Sequence, residues 1–542
     1  MLEPSSPQPA HQPCSWLHVN PGVRAAAAWF LWALLAGYLI FNKPFAQQGF
    51  PPLYVGEMVL VCVLLSLLER LPSVVVEPLR RSWAFRLIAV FWLYGVVRAL
   101  TGYQYHGWWA LRDSVTATYA YVAFALPAAW AVLACPRAQR ARDGAKATAE
   151  LEAGARELPS HVAGVLVPCA TLAALWSAAM LYGWVTQNNW PETKADFLTQ
   201  GAAVAAWVWA MAAVKVQPWQ AGTANREGNK AAFLGLVVLA AEGFFLVRAL
   251  PTRTMWLVVG PLAALIVAAW AYTPGRRRIL FAAGVGAILA ATLVLGGVLR
   301  SFCRFEVDYG LAENLDFSSD TIEANLRKNP DRFERLVLNR VTSGDRRAER
   351  ERWRSLLAPD ESQFETEQGR LGAHAVKWRA VFWLRCWHYA LHQAPLLGVG
   401  FGTNLTNLLR NTPAWPMYID SMRVAPPNRS PHCAHVTILA RLGLLGLALW
   451  VGILATVLWG ALESCWYHRT LASSAGVAAD QAALHRARFW DGVTVLGVWV
   501  IYLWAMTFGV VLEGPIGGVW FWGLTGVLVW WRIATPVGPA NR

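Results

Sequence analysis

Long apolar runs, broken by short charged clusters, recur along most of the chain. A helix needs about 20 apolar residues to cross a bilayer core, at about 1.5 Å per residue. On that measure the runs predict spans over 25–41, 53–68, 83–100, 114–134, 161–184, 199–216, 231–248, 254–272 and 279–299. Three more follow over 432–461, 490–512 and 515–531. The fold class is therefore all-α: a polytopic membrane protein with about twelve transmembrane helices.

The connections alternate in charge. Those after even-numbered spans hold Arg70, Arg80 and Arg81, then Arg137, Arg140, Arg142, Lys146 and Arg156. Lys215, Arg226 and Lys230, the triplet Arg276–Arg278, and Arg469, Arg486 and Arg488 continue the series. Connections after odd-numbered spans are poorer: Lys43, Arg98 and Arg112, Lys194, then Arg248 and Arg253. Basic loops stay cytoplasmic, so both termini are expected inside a bacterial inner membrane. The chain then divides into a cytoplasmic tail (1–24), nine spans (25–299), a periplasmic loop (300–431), three spans (432–531) and a second cytoplasmic tail (532–542). Residues 1–20 lack a basic stretch before an apolar one, so the first run is expected to be a retained span.

Composition agrees. Hydrophobic residues make up 56% and charged residues 15%, against about a quarter charged in ordinary soluble domains. Many of the 31 Trp stand at run ends, where an indole bridges apolar and polar layers. The net charge of +14 lies mainly between the spans, which points to anionic lipid and positive-inside topology and away from nucleic acid. Eight Cys occur singly, without zinc spacing. Cys303, Cys386 and Cys433 fall on the outer side, where one disulfide would leave a thiol over.

The large loop changes character midway. From Arg304 to Lys377 it is dense in mixed charge and too polar to span. Residues 378–394 turn apolar, a helix of about 25 Å that Pro395 and three glycines then break. Such a helix suits the outer interface.

Three outward elements stand out. One is Arg379 and Trp383, followed by Pro395-Leu-Leu-Gly398-Val-Gly400-Phe-Gly402. The second is Ser430-Pro431-His432, followed by Gly443-Leu-Leu-Gly446. The third is Pro251-Thr252-Arg253, at the head of the eighth span. With these blocks the chain resembles the O-antigen ligase and polymerase superfamily of bacterial envelope glycosyltransferases. The blocks cover 378–449, and Cys433 stands where that family usually has Asn.

The resemblance implies transfer of a glycan from a polyprenyl-diphosphate carrier to an acceptor sugar hydroxyl, on an acceptor glycan or lipid A–core. It also implies catalysis by two arginines and one histidine, with no metal and no cofactor. Arg253 and Arg379 then hold the diphosphate, and His432 is the base. Ligase, polymerase and glycan-to-protein transferase all remain open.

Elementary chemistry points the same way. Without a metal, guanidinium forks match phosphate oxygens and never lose their charge. Arg253 opens a helix whose first-turn N–H groups also face the diphosphate side. Ser430 as N-cap and Pro431 at the first helical position put His432 in the first turn of a span. There the helix dipole disfavours imidazolium and keeps the ring able to accept a proton.

His435, one turn on, is an accessory candidate, as are Arg112, Gly398 and Gly400. Arg112-Asp113 reads more simply as an ion pair. His388 and His392 have helical metal-pair spacing but no accompanying carboxylate, so packing is expected. Val307-Asp308-Tyr309-Gly310 is read as chance. No nucleotide-binding fingerprint is present. The competing reading is a transporter or flippase of glycans or small anions, which needs charge near the midplane. Glu242 and Arg441 look that deep and are expected to pair.

Overall fold

The computed structural model describes residues 21–41, 43–46, 48–50, 53–66, 75–134, 144–187, parts of 200–212, 367–409, 429–509 and 511–536. The expected spans over 231–299, most of the outer loop, Arg253 and Glu242 lie outside the described residues.

The described chain is helical. It opens with α1 (Pro21–Phe41), the short α2 (Lys43–Ala46) and a two-residue antiparallel pair, β1 (Gly49–Phe50) with β2 (Leu53–Tyr54). Next come α3 (Val55–Ser66), α4 (Glu77–Arg81), α5 (Trp83–His106), α6 (Trp108–Thr118), α7 (Val122–Ala134) and α8 (Gly144–Gln187). After the large loop come α9 (Glu367–Gln393), α10 (Ala434–Ala472), α11 (Ala479–Phe508) and α12 (Pro515–Ala534).

Four of these are long and apolar enough to cross a membrane: α1 over Gly22–Phe41, α5, α10, and α11 over Ala479–Thr507. The fourth expected span, 114–134, is not one helix: a 3-10 turn at Tyr119–Tyr121 separates α6 from α7. The tenth runs past its expected end at 461 to Ala472. The eleventh stops at Phe508, and a 3-10 turn, Val511–Glu513, leads into α12.

Local chemistry sets several ends. The Ser82 hydroxyl accepts from the Phe85 N–H (3.4 Å) at the start of α5. Gly107, at φ 55°, turns the chain from α5 into α6. Pro515 begins α12, where a missing N–H costs nothing.

The core is built around α12. Residues 517–531 are buried on every side, as a helix apolar all round must be. Gly526 faces Ala123 closely enough that a side chain would collide, and a β-carbon on Gly518 would press on the Tyr119 ring at 3.1 Å. Small residues of this kind let membrane helices approach, where packing replaces water expulsion as the driving force. Phe91, Trp450, Phe521 and Trp522 stack around this centre with centroids 5.3–6.0 Å apart. Among the indole N–H groups inside, Trp499 donates to Thr525 Oγ1 (2.9 Å) and Trp520 to the Leu35 carbonyl (2.9 Å), while those of Trp522, Trp530 and Trp531 have no partner among the described residues.

The two ends of the bundle differ. At one end Arg488 pairs with Glu157, Arg532 with Glu463 (2.8 Å), and Ser160 donates to Asp491 (2.7 Å). The other end carries the close of α5, the start of α6, the glycine loop and the segment before α10.

Candidate functional site

The glycine loop and α10 are spliced together. In a regular helix Leu444 N–H would bond the Ala440 carbonyl, and Leu445 N–H that of Arg441. Instead Leu444 donates to Pro395 (2.8 Å) and Leu445 to Leu396 (3.2 Å). The two freed carbonyls accept from Val399 (2.9 Å) and Gly400 (2.9 Å). The break is at Gly443, φ 67°, inside α10. No backbone group in the exchange is left unmatched, as a site inside a membrane protein requires.

Glycine is needed for this contact. Gly398, Gly400 and Gly402 have φ of 65°, 83° and 95°. A β-carbon on Gly398 would lie 2.5 Å from the Arg441 carbonyl carbon. The expected accessory roles of Gly398 and Gly400 thus acquire a backbone reason. Tyr94 donates to the Leu442 carbonyl (2.9 Å), and Arg98 to that of Gly398 (2.9 Å), which fixes the loop to α5.

α9 ends at Gln393, just before Pro395, as the sequence predicts. Val381, Phe382, Cys386 and Ala390 face inward, while Trp387, His388 and His392 face out. Phe382 and Cys386 join Leu405, Leu408, Leu409 and Ala440 in a small separate core. Trp383 Nε1 donates to the Pro431 carbonyl at 2.6 Å. Arg379 stands one helical turn before Trp383 and so shares its side of α9, toward the His432 segment.

His432 is not in the helix. α10 begins at Ala434, with Cys433 as N-cap and no side-chain capping bond. The reason is the fate of the Ser430 hydroxyl, which donates to Glu513 and does not cap α10. Glu513 also accepts from Thr437 Oγ1 (3.0 Å). His432 has φ 56°, making it the one non-glycine residue at positive φ among the described residues. That conformation costs about 1–3 kcal/mol and persists only when neighbours impose it. Here Trp383 holds Pro431 from one side and Glu513 holds Ser430 from the other.

His435 has a different task. Its Nδ1 accepts from Trp450 Nε1 (2.9 Å), and an indole can only donate. The proton therefore sits on Nε2, which lies 3.0 Å from Thr507 Oγ1, and the Thr507 hydroxyl donates in turn to the Leu503 carbonyl (3.2 Å). His435 is a bridge between α10 and α11.

Asp113 pairs with Arg441, not with its neighbour Arg112. Arg441 Nη2 lies 2.9 Å from Asp113 Oδ2. The same guanidinium donates to the carbonyls of Gly400 (3.4 Å) and Thr403 (3.3 Å). The expected partner of Arg441, Glu242, lies outside the described residues; among those described, Asp113 is the carboxylate paired with it. Arg112 lies over the Trp109 ring, 5.1 Å from its centre.

Cys386 and Cys433 are both buried free thiols. Burial raises both, Cys433 to about 12, so they stay protonated. His388 and His392 have rings 4.3 Å apart; among the described residues no group of three or more His, Cys, Asp or Glu could hold a metal ion.

Residues 234–451 match the family model described as O-antigen ligase. That stretch of the chain is similar to the O-antigen ligase family. The matched stretch contains Arg253, Arg379, the glycine loop and His432, and it ends within α10. The match supports, in general terms, a membrane glycosyltransferase of the O-antigen ligase and polymerase type. No curated protein matches the chain.

Asp113, Glu513 and Arg429 brace these blocks, and the sequence singles out none of them in that role. Asp113 and Glu513 lie far along the chain from the blocks they brace. Arg429 stands three residues before His432, in a stretch where only the histidine drew notice. A lone carboxylate beside a span end was the available signal for the first two.

Proposed function

We propose that this protein moves a glycan from a polyprenyl-diphosphate carrier to an acceptor sugar hydroxyl at the periplasmic face of the inner membrane. The observation that carries the reading is the strained His432 turn, held between α9 and Glu513. Strain that the surroundings must impose is characteristic of sites where a side chain has to be aimed.

In this reading His432 takes the proton of the acceptor hydroxyl, whose oxygen attacks the anomeric carbon of the donor. The bond from that carbon to the phosphate oxygen breaks, and the carrier leaves as its diphosphate. Arg379 and Arg253 hold the charge that develops on the phosphate oxygens, without a metal. The lipid tail of the donor stays in the bilayer beside the bundle.

The transporter reading loses its main support. Arg441, the deep cation it relied on, binds Asp113 and loop carbonyls. Its role is to hold the site together.

The test is a transfer assay with purified full-length protein, polyprenyl-diphosphate glycan, an acceptor glycan and excess chelator. Wild type should transfer, and Arg379→Lys should fail, because a point charge does not replace a planar fork. Full activity of Arg379→Lys, or loss of wild-type activity on chelation, would remove the proposed clamp.

A further inference from the structure

A second cluster of charged and aromatic side chains lies at the same end of the bundle, beside the glycine loop. The Arg429 guanidinium carbon is 4.2 Å from the centre of the Trp109 ring, and that of Arg112 is 5.1 Å away. They reach the ring from separate elements: Arg112 from α6, Arg429 from the segment leading to His432. Arg429 is also tied to the Gly402 carbonyl. Trp109 and Arg112 are exposed, as are neighbouring Trp108 and Tyr105.

Among the described residues the charges do not balance. Asp113 lies 2.9 Å from Arg441 and 4.0 Å from Arg429, so one carboxylate serves two guanidiniums. Arg112 shares the Trp109 ring with Arg429. Glu513, the next carboxyl, is raised toward its neutral form by burial. Arg429 Nε is buried without a hydrogen-bond partner among the described residues. Burial first, then Arg441 and Arg112, work against its charge, and Asp113 only partly opposes them. α6 also begins here at Gly107, with no side-chain cap and no acid in its first turn. Guanidinium groups drawn together with uncapped N–H groups nearby favour an anion.

We propose that Arg112, Arg429 and Trp109 form a subsite for an acidic sugar. The two guanidiniums take its phosphate or carboxylate, and the exposed part of the indole takes the apolar face of its ring. The subsite is distinct from the diphosphate clamp and the base. It rests on the transferase reading only for which substrate brings the sugar, donor glycan or acceptor glycan.

Binding is tested without turnover, on full-length protein in neutral detergent. Thermal unfolding is followed by circular dichroism with millimolar glucose 1-phosphate, glucuronate, glucose or inorganic phosphate. A ligand that binds the folded state raises the midpoint. The two acidic sugars should raise it more than glucose does. Arg112→Gln, which disturbs one exposed side chain, and Trp109→Ala should each remove the shift, while Arg379→Lys keeps it. A shift that survives both Arg112→Gln and Trp109→Ala overturns the proposal. So does equal protection by glucose, or full protection by inorganic phosphate that Trp109→Ala leaves unchanged.

The transfer assay then separates the sources. Arg112→Gln should raise KM about tenfold for whichever substrate carries the acid, with kcat little changed. Unchanged KM for both substrates overturns the assignment. Failure of the transferase reading would abolish wild-type turnover yet leave the unfolding shift in place.

Discussion

The Arg441 guanidinium lies 2.9 Å from the Asp113 carboxylate, joining the second turn of α10 to the first half of α6. Both side chains are almost fully buried. The same guanidinium touches carbonyls on the glycine loop, so one cation fixes three segments that are far apart in sequence.

Removing one partner of that pair leaves a buried charge without its counter-ion. Arg441→Leu should lose about 3–5 kcal/mol of stability. Asp113→Leu should suffer similarly, and the double substitution should recover part of the loss. Thermal midpoints of the three purified variants decide it. A double variant no better than the worse single one would show that the pair contributes nothing.

Gly398→Ala places a β-carbon against the Arg441 carbonyl and forces a positive φ on alanine. It should cost about 2 kcal/mol or more and reduce the amount of folded protein recovered from membranes. Val399→Ala, which keeps the backbone exchange, should be far milder. Equal yields of the two would mean that the loop does not need its close approach.

Asparagine tolerates positive φ better than most residues, so His432→Asn removes the imidazole and keeps the turn. It should fold like wild type and lose about 10²–10⁴-fold in transfer rate. His435→Ala should instead lower thermal stability, because it unties α10 from α11. A His432→Asn protein that transfers normally would take His432 out of the mechanism.

Burial raises the Glu513 carboxyl above its ordinary 4.5. As pH climbs from there through the raised value, the folded state binds more protons than the unfolded one, so stability falls across that window. Glu513→Gln cannot titrate. It should gain on wild type as pH rises from about 4.5 to neutrality, read from thermal midpoints. Parallel pH profiles would show that Glu513 titrates alike in both states.

Orientation has its own test. Reporter fusions at Ser319 should read periplasmic and those at Gly144 cytoplasmic, following the arginine-rich connections. The reverse pattern would put the His432 turn on the wrong side for a flipped lipid-linked donor.

Much of this architecture is legible in the chain. The helical character, the four long apolar helices and the end of α9 before Pro395 follow from hydropathy, proline and glycine. The partners of the two sequence blocks do not. Periodicity carries no information on which side chains meet across hundreds of residues, so the sequence points Asp113 to its neighbour Arg112 and does not reveal its pairing with Arg441. Ser430-Pro431 reads as a helix start by its own chemistry. A hydroxyl claimed by Glu513, from the far end of the chain, overrides that local preference. The large stretch between α8 and α9, with Arg253, lies outside the described residues.

The bond from Ser430 to Glu513 sets a condition on biosynthesis. The ribosome makes α9, the glycine loop and the His432 turn well before it makes the Val511–Glu513 turn. Until that last turn emerges, Ser430 has no carboxylate to hold it, and nothing on that side opposes relaxation of the backbone at His432. A chain stalled or cut before residue 511 can form both α10 and α11 and still leave the His432 turn unbraced on that side. The brace on the His432 turn is thus among the last contacts the growing chain can make, set only once the turn before α12 has emerged.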